Sequence, residues 1–117
     1  MAVRRAGQIA LLRFPGTDLT PGKLRPVILI AATPGPYDDW LVCMMSTQIR
    51  QALEGFDERI DQNAEDFQQS GLKVASVVRL SRLAVVSTES LVGAIGEISP
   101  ERLERIRQKL FAWIRGT

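Results

Sequence analysis

Apolar positions along the chain fall in short runs bounded by proline and glycine, and these runs predict strands. Residues 8–14 form a β-rich apolar stretch that stops at Pro15-Gly16, the pattern of a strand entering a turn. Residues 17–23, rich in Thr, Gly and Pro, read as a loop. Residues 26–32 are continuously apolar and include the β-branched Val27, Ile28 and Ile30, which predicts a buried strand. Pro34-Gly35-Pro36 ends it, and Tyr37-Asp38-Asp39 turns the chain into a third strand over 40–45. The polar cluster Ser46-Thr47-Gln48 follows directly. Residues 56–60 alternate and predict a short edge strand, and 63–70 predict one helical turn closed by Gly71. The valine-rich stretch 72–86 predicts two short strands split near Ser81-Arg82. A brief helical turn at 88–91 and a last strand over 92–98 complete the β part.

The final segment carries a different period. Ser99 is placed to cap a helix, Pro100 suits its first position, and Glu101 suits the positive end of its dipole. Leu103, Ile106, Leu110 and Trp113 recur every three or four residues, with Phe111 and Ile114 widening the stripe. Arg102, Glu104, Arg105 and Lys109 make the opposite, polar face, with Glu101 four residues before Arg105 for a helical ion pair. The predicted architecture is mainly β with a C-terminal helix, a small, partly open β-barrel against which the helix packs. At 117 residues the chain is expected to be a single domain spanning 1–117.

Composition narrows the chemistry. Hydrophobic residues make up 45% and charged residues 24%, the balance of a globular protein. The longest apolar runs, 27–32 and 41–45, fall well short of the ~20 residues that cross a bilayer. The four apolar residues after the basic N-terminus are too few for a signal-peptide core. A cytoplasmic protein without a membrane partner is expected. Cys43 is the one cysteine, so an internal disulfide and a multi-thiolate metal site are excluded. Histidine is absent, which excludes histidine triads, histidine-ligated zinc and paired-imidazole acid–base catalysis. Arginine, lysine, hydroxyls, carboxylates and backbone amides remain.

The net charge is only +2, and its distribution says more than its total. Glu54, Asp57, Glu58, Asp61, Glu65 and Asp66 form an acidic block, flanked by basic stretches holding Arg25, Lys73, Arg79 and Arg82. The block reads as a solvated acidic loop. The flanking cations make an anion-binding face only if the fold brings them together.

Five short motifs occur in a fixed order: Gly7-Gln8-Ile9; Lys23-Leu24-Arg25-Pro26-Val27; Ser46-Thr47-Gln48; Ser76-Val77-Val78-Arg79-Leu80; and Gly93 through Ile98-Ser99-Pro100-Glu101 before the helix. In order and spacing they resemble the PemK/MazF family of toxin–antitoxin toxins, from about Gly7 to Trp113. The resemblance implies an SH3-like barrel of the PemK/MazF/CcdB type that forms a homodimer. It also implies a metal-independent endoribonuclease, without cofactor, that cleaves single-stranded mRNA and is neutralised by a cognate antitoxin. The implied chemistry is attack of a ribose 2′-OH on the adjacent phosphate. A guanidinium suits that reaction, because its planar paired donors match phosphate oxygens and stabilise the charge that builds on them.

Carried over by position, the resemblance makes Arg25, Ser46 and Arg79 catalytic candidates. Lys23, Thr47, Gln48, Lys73, Ser81 and Arg82 become RNA-binding candidates. Each has a plainer reading. Arg25 is a surface cation at a strand start, Ser46 and Thr47 cap their own turn, and Arg79 pairs with the acidic block. The chain departs from the family pattern at Gln8 and Ala75, where acids are frequent. It departs again at Ser81, where many relatives have an aspartate proposed to transfer a proton, and a serine hydroxyl is no base near neutrality. The alternative is therefore a non-catalytic PemK-like barrel acting as a protein- or RNA-binding module.

Overall fold

A computed structural model describes residues 2–13 and 23–116. Much of the loop expected over 17–23 lies outside the described residues. Among the described residues, six strands form one antiparallel sheet: β1 (Gln8–Arg13), β2 (Leu24–Ala32), β3 (Asp39–Ser46), β4 (Glu58–Ile60), β5 (Ser76–Ser87) and β6 (Leu91–Glu97). Their order across the sheet is β4-β5-β3-β2-β1-β6, which puts β4 at the edge as its short alternating sequence predicts. The sheet is barrel-like but its edge strands are not hydrogen-bonded to one another. One short helix, α1 (Phe67–Ser70), precedes β5, and a long one, α2 (Pro100–Arg115), ends the fold. No helix among the described residues is long and apolar enough to cross a membrane.

Both faces of the sheet are apolar, which explains why the second strand reads as a continuous run and not an alternating one. Ile28 and Ile30 of β2 pack on one face with Cys43, Met45, Val78, Leu80 and the α2 residues Ile106 and Leu110. Val27 and Leu29, one position out of phase, pack on the other with Ala10, Leu12, Trp40, Val42 and Leu91. Cys43 is completely buried, and burial, aided by the negative charge of Asp57, pushes its thiol pKa up to about 12.

The predicted split of the longest β segment is corrected. β5 is one strand of twelve residues, and the Ser81-Arg82 break is a bulge inside it. Cys43 of β3 opposes Leu83, while the next residue, Met44, opposes Arg79. Leu80, Ser81 and Arg82 are therefore extra residues that bend the strand without ending it. The α1 turn sits tightly on β6, where a Cβ on Gly71 or Gly96 would lie within about 2.4 Å of backbone atoms of the other segment. Gly71 also has φ +75°, as the residue closing a helix often does.

The helix begins as its sequence predicts, with the Ser99 side chain accepting a hydrogen bond from the Arg102 N–H. Its faces are only partly as predicted. Phe111, Trp113 and Ile114 are largely exposed, and Trp113 meets Phe56 edge-on with ring centroids 5.8 Å apart. Arg102, placed by periodicity on the solvent face, is buried. Its Nε and Nη2 donate to the two oxygens of Asp66 at 2.7 and 3.0 Å. Its Nη1 reaches Glu58 at 3.0 Å and the carbonyl of Arg59 at 2.8 Å. Arg105 pairs with Glu58, as does Lys109 at 2.7 Å. The reading of the acidic block as a solvated loop is likewise corrected, since Asp57, Glu58 and Asp66 are all buried.

This network gives stability a pH dependence. Burial alone would raise the Glu58 carboxyl pKa, but hydrogen bonds and charge from Lys109 and Arg105 outweigh it and hold it below 4.5. Burial likewise opposes ionisation of Asp66, and the Arg102 hydrogen bonds, the Ser99 N–H and the Arg102 charge hold it below 3.8. Carboxyls depressed in the folded state contribute stability that is complete above their unfolded pKa and lost as pH falls through the folded one. The urea midpoint should thus stay level from neutrality down to about pH 5 and fall below it. The fall should be shallower in Asp66→Asn, and an equally steep fall in that variant would remove Asp66 as its source.

Candidate functional site

The sheet register brings the chemistry-bearing residues together. Val27 opposes Met44, and Met44 opposes Arg79 on its other side. Arg25 lies two residues before Val27 and Ser46 two after Met44, so the two-residue period of a strand puts Arg25, Met44, Ser46 and Arg79 on one face. Pro26 has no N–H to donate, and the β2–β3 ladder begins after it, at Val27. The result is a cleft of about 230 Å³ lined by Arg25, Pro26, Met44, Met45, Ser46, Arg79 and Arg82. All three catalytic candidates and one RNA-binding candidate, Arg82, therefore share a single cavity.

The other candidates are placed differently. Lys23, Thr47 and Gln48 are exposed next to cleft residues in the chain, but their side chains do not line it. Ser81 is exposed in the bulge, and Lys73 is exposed in the segment leading to β5. A wider depression of about 680 Å³ on α2, lined by Glu104, Arg107, Gln108 and Phe111, contains none of these residues.

Arg79 is the most constrained member of the group. Its Nη1 donates to the side-chain oxygen of Gln51 at 3.1 Å, so its partner is not the acidic block. Its Nε is buried without a hydrogen-bond partner. A buried donor left unpaired costs ~1–3 kcal/mol. Ser46 does cap its own turn, with Oγ accepting from the Gln48 N–H at 3.0 Å. That bond uses an acceptor site and leaves the hydroxyl proton free to be donated.

No carboxylate lines the cleft among the described residues. Nor do they contain a group of three or more His, Cys, Asp or Glu able to hold a metal ion. Asp57 and Glu58 are turned inward onto backbone N–H groups and basic side chains. The cleft offers guanidinium groups, one hydroxyl and two methionines, a surface suited to a polyanion with apolar parts. Sequence reasoning missed Gln51, which follows the polar cluster in the 3-10 turn Ile49–Gln51. It also missed Met44, whose spacing of two from Ser46 was the available signal.

Over residues 5–114 the sequence matches the family described as PemK-like, MazF-like toxin of type II toxin-antitoxin system. The chain belongs to the PemK/MazF toxin family. Solved structures share its PemK/MazF fold. Toxin MazF-mt6 of Mycobacterium tuberculosis is 16% identical, with a TM-score of 0.66 over 92% of this chain and 96% of that one. The MazE-MazF structure from Deinococcus radiodurans is 18% identical, with a TM-score of 0.68 over 100% of this chain and 99% of that one. MazF from the same organism is 19% identical, with a TM-score of 0.63 over the whole of both chains. No curated protein matches the sequence. The partly open β-barrel expected from the strand pattern, and the PemK/MazF type that the family resemblance implies for it, are thus the fold observed, with α2 packed on one face of its sheet.

Proposed function

We propose that this PemK/MazF chain is an endoribonuclease toxin that cleaves single-stranded mRNA without a metal ion and is silenced by a cognate antitoxin. The carrying observation is the convergence of Arg25, Arg79, Arg82 and the Ser46 hydroxyl in one cleft. In the proposed reaction the ribose 2′ oxygen forms a bond to the adjacent phosphorus and the bond from phosphorus to the 5′ oxygen breaks. The 2′-OH proton leaves to solvent, and the departing 5′ oxygen takes one up. Arg25 holds the non-bridging phosphate oxygens as they gain charge, and Ser46 donates a hydrogen bond to the phosphate. Arg79 binds the RNA backbone beside the departing oxygen. Single strands fit because their backbone can follow the cations of the cleft while an unstacked base rests on its apolar wall at Pro26 and Met44.

The homodimer and the antitoxin complex belong to the same reading, supported by family membership and by the MazE-MazF complex of a neighbour. An acidic, extended antitoxin segment laid across the cleft would meet Arg25 and Arg79 and exclude RNA. The test is incubation of purified protein with mixed-sequence single-stranded RNA in excess EDTA. The expected products carry a 2′,3′-cyclic phosphate at one new end and a 5′-hydroxyl at the other. Intact RNA would overturn the catalytic reading. RNA bound but uncut would favour the binding module, for which the exposed serine at position 81 and the lack of a carboxylate among the described residues of the cleft speak.

A further inference from the structure

We propose that Asp57 is a positioning residue for Arg79, its one carboxylate tying down both the strand beside that arginine and the loop that holds its guanidinium. The consequence for catalysis rests on the ribonuclease reading, while the positioning itself is tested without RNA.

The β5 bulge creates the need for such a residue. Leu80 has no opposed residue on β3, and the β4 ladder covers only Ser76, Val77 and Val78 of β5. Leu80 is completely buried, so its N–H requires a partner from elsewhere in the protein. Asp57 supplies it, with Oδ1 accepting from the Leu80 N–H at 3.0 Å. The other oxygen, Oδ2, accepts from the Leu53 N–H at 2.8 Å. Leu53 lies two residues after Gln51, whose side-chain oxygen accepts from Arg79. Leu80 directly follows Arg79. The Asp57 carboxylate therefore bridges the backbone beside Arg79 to the backbone beside the acceptor of its guanidinium.

The chemistry requires a carboxylate. Both of its oxygens accept, so two converging N–H groups are satisfied together. Asparagine has the same shape but offers one oxygen and one NH2, which would face an N–H donor with a donor. Asp57→Asn should thus release either the bulge or the loop, while leaving the apolar packing of the sheet in place.

The test combines a spectroscopic signal with a mutant cycle. In 15N-labelled protein the Arg79 Nε–H should give a shifted signal protected from exchange, assigned by its loss in Arg79→Ala. In Asp57→Asn that signal should move and lose its protection. Cleavage of single-stranded RNA should fall about 10- to 100-fold, the range for a displaced catalytic group. In an Arg79→Ala background, adding Asp57→Asn should change cleavage by less than about twofold, because the residue through which it acts is gone. An unmoved Arg79 signal would overturn the proposal, as would a full additive loss in the Arg79→Ala background. If Asp57→Asn does not fold, Asp57→Glu keeps both oxygens but displaces them by one methylene, and the same shifts and the same non-additivity are expected. Should the signal move as expected while wild-type protein leaves RNA intact, the positioning stands and the ribonuclease reading falls.

Discussion

Arg25→Ala should lower cleavage of single-stranded RNA by about 100- to 1,000-fold, the loss that follows removal of one preorganised donor from a developing oxyanion. Arg25 stands exposed at the start of β2, with its side chain in the cleft. Its replacement removes no core contact, and the urea midpoint should not change. Arg25→Lys keeps the charge but loses the planar pair of donors, so it should cut at a rate between the wild type and the alanine variant. Arg59, exposed on β4 and paired with Asp61, is the control, and Arg59→Ala should cut normally. Wild-type activity in Arg25→Ala would remove this arginine from the chemistry, even if the protein proved to be a ribonuclease.

The largest stability effect should come from a residue far from the cleft. Arg102→Met leaves Asp66 buried with the Ser99 N–H but without a cationic partner. Breaking one side of a buried ion pair costs ~3–5 kcal/mol, a large share of the ~5–15 kcal/mol that holds a typical domain together. Glu58 keeps Arg105 and Lys109, so the penalty concentrates on Asp66. Adding Asp66→Asn should therefore recover part of the loss. Urea unfolding of the two variants measures both steps. A loss below ~1 kcal/mol, the size of a surface pair, would show that the network does not anchor α2.

The difference between these two arginines also shows what was legible in the sequence. Strands bounded by proline and glycine were readable, as was the capped start of α2, because both follow from local periodicity and turn chemistry. Arg102 was misplaced because a helical wheel assumes that charge faces water, and a buried acidic partner reverses that. The partner was hidden for the same reason, since nothing in the run from Glu54 to Asp66 distinguishes Asp57, Glu58 and Asp66, which turn inward, from Glu54 and Glu65, which remain exposed. The bulge in β5 was visible as an interruption, but its type was not. An extra residue and a chain break both interrupt the alternation, and only the β3 register separates them. Gathering Arg25, Ser46 and Arg79 into one cleft needed that register too. Before the fold was known, family resemblance was the only reason to group them.

The burial of Cys43 has a practical consequence. Thiol reagents attack the thiolate, and burial, which pushes the Cys43 pKa up to about 12, keeps the thiol protonated at neutral pH. Buried between β2 and β5 and held in the protonated form, the native cysteine should not react with maleimides or mild oxidants. A cysteine introduced at Thr47, beside the cleft, would be the sole reactive thiol. It offers a place to attach a fluorophore and follow RNA or an antitoxin entering the groove, with no need to alter β3.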